Sequence, residues 1–271
     1  MERLSLNKLL NKDTYFIKES ENNGFYVLDC ANKKSFDVVI DRGINANILL
    51  LNIKENTKFN FKLEENAELN LKTILKDELK SLEIDMYLGL NSKMKAYCAD
   101  FTNGDNNVIV NVNLDNPNTK AEWHLASLSA KNDNKVFDVS LLHNGTGTYG
   151  LSDNYGVSKD DARLVFAGVS TIKKGAKGSK TRQNAKIMVF DELSKAIAKP
   201  VLKIDENEIE ASHGASVGKI SDEQMFYLTS RGLTEEVAKE LITLGYLRPI
   251  LNGFEDDEMK DEISSLIEGR M

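Results

Sequence analysis

This sequence is short of several residue types, and each scarcity excludes something. Only two of its 271 residues are cysteine, Cys30 and Cys98. They stand far apart and in no C-x-x-C spacing, which excludes a disulfide framework and a cysteine-built zinc site. Three prolines in the whole chain leave long stretches free to form unbroken backbone ladders. A single tryptophan makes a poor sugar-binding surface. No apolar run approaches the roughly 18 residues of a membrane span. The N-terminal stretch MERLSLNKLLNKDTYF has no apolar core followed by a small-residue cleavage site, so a cytoplasmic protein is expected. Acidic residues exceed basic ones by 42 to 35, giving a net charge of -7, and the lysines are scattered. That excludes a phosphate-tracking surface, and no nucleic-acid or membrane partner is expected.

What the chain does hold, from about Tyr15 to Ala211, is short alternating runs rich in Val, Ile, Leu, Phe and Tyr, among them FDVVID, KFNFKL, SLEIDMYL, VIVNVNL, VFDVSLL and RLVFAGV. Asn, Asp and Gly clusters separate them, the pattern of half-buried strands bounded by turns. Segments beginning at Ala67, Met94, Ala121 and Thr148 recur every 27 residues, and a second, looser series starting near Leu82, Val108, Val136, Leu164 and Ile187 falls between them. Two interleaved series with one shared period predict a coil that lays one strand on each of two faces per turn, a mainly β fold of β-solenoid type. An antiparallel sandwich is the competing arrangement, but few N-G or D-G pairs stand where its hairpins would need them. The first fourteen residues are expected to form an arm or short helix through Leu4, Leu6, Leu9 and Leu10, with the solenoid over 15–217 and a small α-helical region over 218–271.

The helical region announces itself by its caps. Ser221 followed by Gln224 matches a capping box, with Asp222 and Glu223 at the positive end of the helix dipole. A second helix is expected from Thr234 to Gly245, burying Val237, Ala238, Leu241, Ile242 and Leu244 before Pro249 blocks continuation. A third, FEDDEMKDEISSLIE, places Met259, Ile263, Leu266 and Ile267 on one face.

Several catalytic motifs fail on inspection. Gly214-Ala215-Ser216-Val217-Gly218 fits the nucleophile elbow G-x-S-x-G. His124, His143 and His213 all precede Ser216, however, so the hydrolase order of Ser, acid, His cannot be built. A small-residue turn leading to a helix is expected there. Gly175-Ala176-Lys177-Gly178-Ser179-Lys180-Thr181 misses the phosphate-loop pattern because Ser179 separates Gly178 from Lys180. The acidic pairs Glu64-Glu65, Asp160-Asp161 and Asp256-Asp257 fall in turns or on a helix surface, which leaves a polysaccharide-acting solenoid enzyme or binding protein as the alternative function. His124 and His143 lie in strands, where packing is the usual role. His213 lies between the last rung and the first helix.

The stretch AKPVLKIDENEIEASHGASVGKISDEQMFYLTSRGLTEEVAKELITLGYL resembles the C-terminal core of the SufB/SufD family, scaffold proteins of Suf iron-sulfur cluster assembly. It shares S-H-G-A-S-V-G-K, then D-E-Q-M-F-Y-L, then S-R-G-L. The resemblance implies a right-handed parallel β-helix and a short SufD-like scaffold subunit without catalysis of its own. It implies pairing through the β-helix with a SufB-like or identical subunit, and docking of a SufC-type ATPase on helices that carry Asp222, Gln224, Phe226, Tyr227 and Arg231. His213 matches a proposed iron or cluster ligand at the shared interface. No cofactor is expected on the isolated chain, only a cluster held transiently in the complex. Asn184 and Ala211 stand where relatives carry cysteine, and neither Cys30 nor Cys98 matches those places.

Overall fold

Alternation builds the first layer, because apolar side chains at every second position bury one face of a strand and leave the other in water. The computed structural model describes residues 4–5, 10–11, 14–18 and 24–271. In it the runs form two nine-stranded sheets whose strands alternate along the chain. The first sheet holds β1 (Leu4–Ser5), β4 (Phe25–Asp29), β6 (Asn45–Leu51), β8 (Glu68–Leu75), β10 (Lys93–Asp100), β12 (Lys120–Ser129), β14 (Tyr149–Ser158), β16 (Lys180–Val189) and β18 (Glu210–Lys219). The second holds β2 (Leu10–Asn11), β3 (Thr14–Ile17), β5 (Ser35–Ile40), β7 (Thr57–Leu63), β9 (Ser81–Leu88), β11 (Asn106–Leu114), β13 (Asn134–His143), β15 (Arg163–Ile172) and β17 (Lys195–Ile204). All these pairings are parallel except β2 with β3. This is the expected β-solenoid. Of the N-terminal arm, Leu6 and Leu9 lie outside the described residues, and the described fragments Leu4–Ser5 and Leu10–Asn11 are extended rather than helical.

The constant period needs correction. Asn91 and Asn118, bonded neighbours on successive rungs, do stand 27 residues apart. Earlier rungs are shorter: Asp37 and its neighbour Asn60 are separated by 23 residues, Glu68 and Lys93 by 25 residues. Later ones are longer, with 29 residues between Asn134 and Arg163 and 31 residues between Lys177 and Glu208. Both sheets follow this course, since the pair at Asp37 and the pair at Asn134 belong to the second and the pair at Glu68 to the first. Strands lengthen in step, from the five residues of β4 to the ten of β12 through β18.

One corner is a column of left-handed residues: Gly43, Asn66, Asn91, Asn118, Gly147 and Gly178, with φ between 56 and 71°. Asn and Gly tolerate this region best. The asparagines also stack, since Asn91 Nδ2 donates to Asn66 Oδ1 and Asn118 Nδ2 to Asn91 Oδ1, each at 3.1 Å.

Inside the coil the core runs continuously from Tyr15 to Ile187 and includes Phe36, Phe59, Phe61, Trp123, Phe137 and Phe166. A charge pair interrupts it. Lys135 and Asp100 are both fully buried, with Nζ 2.9 Å from Oδ2. The carboxylate also accepts from the Thr102 hydroxyl at 2.7 Å, Asn106 Nδ2 at 3.1 Å and Ser127 Oγ at 2.7 Å. The Lys135 ammonium donates as well to the Leu128 carbonyl at 2.9 Å. Burial pulls the lysine's pKa down, and the Asp100 charge and hydrogen bond oppose that.

The helices are α1 (Asp222–Ser230), α2 (Glu235–Leu247), a 3₁₀ turn at Arg248–Gly253 and α3 (Asp257–Glu268). Helix α2, the 3₁₀ turn and α3 fold back along the outer face of the first sheet. Leu247, Ile250, Phe254, Ile263 and Ile267 pack on Ile74, Ala99, Phe101, Ala126 and Leu128. Lys76 pairs with Glu262 at 2.5 Å, and Arg270 reaches Asp133 and Asn103. Helix α2 passes Gly245 because Leu247 in its next turn is buried, and Pro249 opens the 3₁₀ turn instead. Its expected apolar face is partly wrong: Ala238 is buried, whereas Val237 and Leu241 are exposed.

Candidate subunit interface at the solenoid end

The last rung is where the core gives out. Strands β17 and β18 are the outermost members of their sheets, and no helix covers them among the described residues. Helix α2, the 3₁₀ turn and α3 pack on the flank instead. Behind the open rung the interior turns polar, with Ser152, Asn154, Ser170, Thr181 and Gln183 buried. Gln183 Nε2 donates to Ser170 Oγ at 2.7 Å and to the Val201 carbonyl at 3.1 Å, while the Thr181 hydroxyl donates to Ser170 Oγ at 2.9 Å.

His213 belongs to this rung. The segment read as a small-residue turn, Gly214 to Gly218, is the body of strand β18, because its backbone pairs with Asn184 to Met188 of β16. His213 sits over Gln183, which sits over Ser152 and then Trp123, so its register is that of an inward-facing row. With no strand beyond, the side chain is exposed. Ala211 lies over Thr181 in the next inward position, and Asn184 is on the outward row between Asp153 and Gly214.

The other candidate ligands are elsewhere. Cys30 and Cys98 are fully buried in the core. Burial lifts the Cys30 thiol to about 12 and raises Cys98 as well, so neither supplies a thiolate. His124 stacks on Tyr97 with ring centroids 4.7 Å apart, its Nε2 3.5 Å from a Glu122 oxygen. His143 is buried at a corner, its Nδ1 2.7 Å from Thr148 Oγ1, which is 2.7 Å from Ser179 Oγ. Ser179 Oγ donates to the Gly145 carbonyl at 3.2 Å. Thr148 must then donate to Ser179, so Nδ1 carries the imidazole proton and Nε2 is a bare acceptor. Among the described residues no three His, Cys, Asp or Glu side chains converge on a metal-binding point. On the open rung His213 is the one imidazole, and among the described residues no two further His, Cys, Asp or Glu side chains gather around it.

Burial also depresses His143 to about 4 from 6.5. The unfolded chain takes up this proton near 6.5, whereas the folded protein resists it. The stability due to neutral His143 is therefore complete above 6.5 and is lost as the pH falls toward 4, by roughly 3 kcal/mol. Melting temperatures of the wild type should fall more steeply over that window than those of His143→Gln. Parallel curves would show that His143 does not carry this dependence.

Helix α1 projects beside the open rung. Ser221 Oγ accepts from the Gln224 backbone N–H at 3.3 Å, the N-cap half of the expected capping box, and Asp222 and Glu223 occupy the first turn. The helix buries none of its residues. Phe226 and Tyr227 are 73% and 57% exposed, and the Arg231 guanidinium lies 5.2 Å from the centre of the Tyr227 ring. Asp222, Gln224 and Arg231 are exposed on the same helix or at its C-cap. A groove between β18 and α2 is lined by Met188, Ser216, Gly218, Gln224, Ile242 and Tyr246.

Comparison with known proteins decides the family. Residues 34–246 match the family model described as "SUF system FeS cluster assembly, SufBD core domain", which is most of the chain. The chain belongs to the SufB/SufD family. It is 29% identical over 183 residues to the iron-sulfur cluster assembly protein SufD of Bacillus subtilis, covering 68% of this chain and 42% of that protein. A SufBD family protein of Staphylococcus saprophyticus is 31% identical over 111 residues, 41% of this chain and 24% of its own length. Another, from Mycobacterium tuberculosis, is 28% identical over 152 residues, 56% of this chain and 18% of its own. The chain thus spans less than half the length of these SufB/SufD relatives. No helix among the described residues is long and apolar enough to cross a membrane.

Sequence reasoning found the helix cap and the exposed aromatics but missed the buried Asp100–Lys135 pair. A signal was present: Lys135 shares the alternation of Phe137, Val139 and Leu141, all buried.

Proposed function

We propose that this SufB/SufD-family chain is a noncatalytic scaffold subunit of a cytoplasmic Suf-type iron-sulfur assembly complex. It pairs end to end with an identical or SufB-like subunit through its open rung and docks a SufC-type ATPase on α1. His213 contributes one ligand to iron or a cluster, the cargo of the complex, and the partner supplies the others, including the thiolate that Asn184 and Ala211 do not provide. The observation that carries the reading is the juxtaposition at one end of the solenoid of an uncovered rung bearing His213 and a helix with no buried residue. Burying Phe226 and Tyr227 against a partner is worth about 1.5–3 kcal/mol for each.

Co-expression with a SufC-type ATPase tests it. The chain should co-purify with the ATPase, and Phe226→Ser with Tyr227→Ser should abolish this while leaving the melting temperature unchanged. His213→Ala should keep the ATPase and lower the cluster yield of the reconstituted complex. Absence of any complex, with and without ATP, refutes docking; an unchanged yield shows His213 to be structural.

A further inference from the structure

The second sheet changes character along its outer face. Over the first half the outward side chains satisfy one another: Asn60 Nδ2 donates to Asp37 Oδ1 at 2.7 Å, Asn111 Nδ2 to Asp85 Oδ1 at 2.8 Å, and Lys58 bridges Glu83 and Asp85. From β13 onward the outward positions turn apolar. Val136 stands beside Val165 and Ile197, and Val169 beside Val201, with Ala167 between the two rows. None of these residues belongs to the interior core or to the apolar cluster under the helices. That cluster takes in no residue of the second sheet, so α2, the 3₁₀ turn and α3 leave this face uncovered. Parallel sheets ordinarily have both faces covered, and a contiguous apolar patch marks an interaction surface.

The charge on this face is mostly of one sign. Lys195, Lys199 and Lys203 project from β17 on the side opposite Ala196 and Ala198, which pack on the core. Among the described residues none of the three lysines has a carboxylate partner, whereas Lys177 pairs with Glu208 and Lys180 with Glu210 nearby. Arg163, the neighbour of Lys195, adds another cation, and the only carboxylate in the three strands is Asp138. A second copy laid face to face would bring one lysine row onto the other, so the charge selects an acidic occupant. The width selects its shape. Three strands about 4.8 Å apart make a strip roughly 10 Å wide, the diameter of one α-helix. The flank of the first sheet is already covered in this way: α3, bearing Asp257, Glu258, Asp261 and Glu262, packs Ile263 and Ile267 on it and pairs Glu262 with Lys76 at 2.5 Å.

We infer that the outer face of β13, β15 and β17 docks an acidic amphipathic helix of a partner protein, its apolar stripe on Val165, Val169 and Val201 and its carboxylates on the lysines of β17. Fluorescence anisotropy on the full chain tests it, with two labelled amphipathic peptides that share a Leu face and carry either Glu or Lys on the other. The Leu/Glu peptide should bind at least about tenfold more tightly than the Leu/Lys peptide and lose affinity as salt is raised. Lys199→Glu combined with Val201→Glu should weaken that binding about 100-fold. Lys62→Glu, on the polar half of the same face, and Phe226→Ser, on α1, should leave it unchanged, and matching melting temperatures verify that the variants fold. Equal binding of the two peptides, no binding of the Leu/Glu peptide, or binding that survives the β17 substitutions overturns the proposal. Loss of self-association in sedimentation velocity on those substitutions, without any peptide binding, would replace the helix by a second copy.

Discussion

Asp100→Ala is expected to destabilise the fold by about 3–5 kcal/mol, because it leaves a buried ammonium without its counter-charge. Lys135 would retain a single partner, the Leu128 carbonyl, in a site with no exposure. Thr102, Asn106 and Ser127 would each lose a hydrogen bond to the carboxylate. The reverse change is milder. Lys135→Met leaves the Asp100 carboxylate with three side-chain donors and replaces the ammonium by apolar volume at a position lined up with Phe137. Melting temperature should therefore fall by about 10 °C in Asp100→Ala and distinctly less in Lys135→Met. Equal losses would mean that the charge pair, rather than the hydrogen-bonded carboxylate, organises this part of the core.

Gly253→Ala carries the second large effect, and it acts on the attachment of the helices. Gly253 closes the 3₁₀ turn over the first sheet, and a Cβ there would lie 2.1 Å from Cγ of Tyr97 and 2.3 Å from Cδ1. The ring cannot retreat along the sheet, since His124 is stacked beside it at 4.7 Å. Overpacking of this kind costs about 1–3 kcal/mol, and here the path of least resistance is for the 3₁₀ turn to lift. Limited proteolysis should then cut between Arg248 and Gly253 well before the wild type is cut. Adding Tyr97→Ala should restore much of the resistance, as neighbours in contact are not additive. If the double variant is no better than the single, the clash is not the cause.

These two sites also mark where sequence reading stops. The solenoid was legible because alternation and recurrence are one-dimensional signals, and β8 through β16 repeat both. The N-cap at Ser221 was legible for the same reason, being a contact between near neighbours in the chain. The single period was an average of rungs that differ, and only backbone register tells the rung at Glu68 and Lys93 from the longer one at Asn134 and Arg163. Gly214 to Gly218 read as a turn because small residues carry no strand propensity, and a neighbouring strand, not propensity, makes β18 extended. His213 was found through its motif, yet its exposure follows from the absence of a strand beyond β18, a fact about topology. Asp100 and Lys135 are 35 residues apart, and their meeting needs the coil to be closed first.

The growing rungs bear on how the chain finds its fold. A solenoid of identical turns is translationally symmetric, so a strand can settle on the wrong neighbour at little cost and the error propagates. Here the hoops grow along the chain, from 23 residues near the start to 31 residues near the end. Between the early strands, which differ in length, one that skips a hoop faces a partner that does not match it. The taper breaks that symmetry over the first half of the coil, where a strand's length helps to set its address during folding.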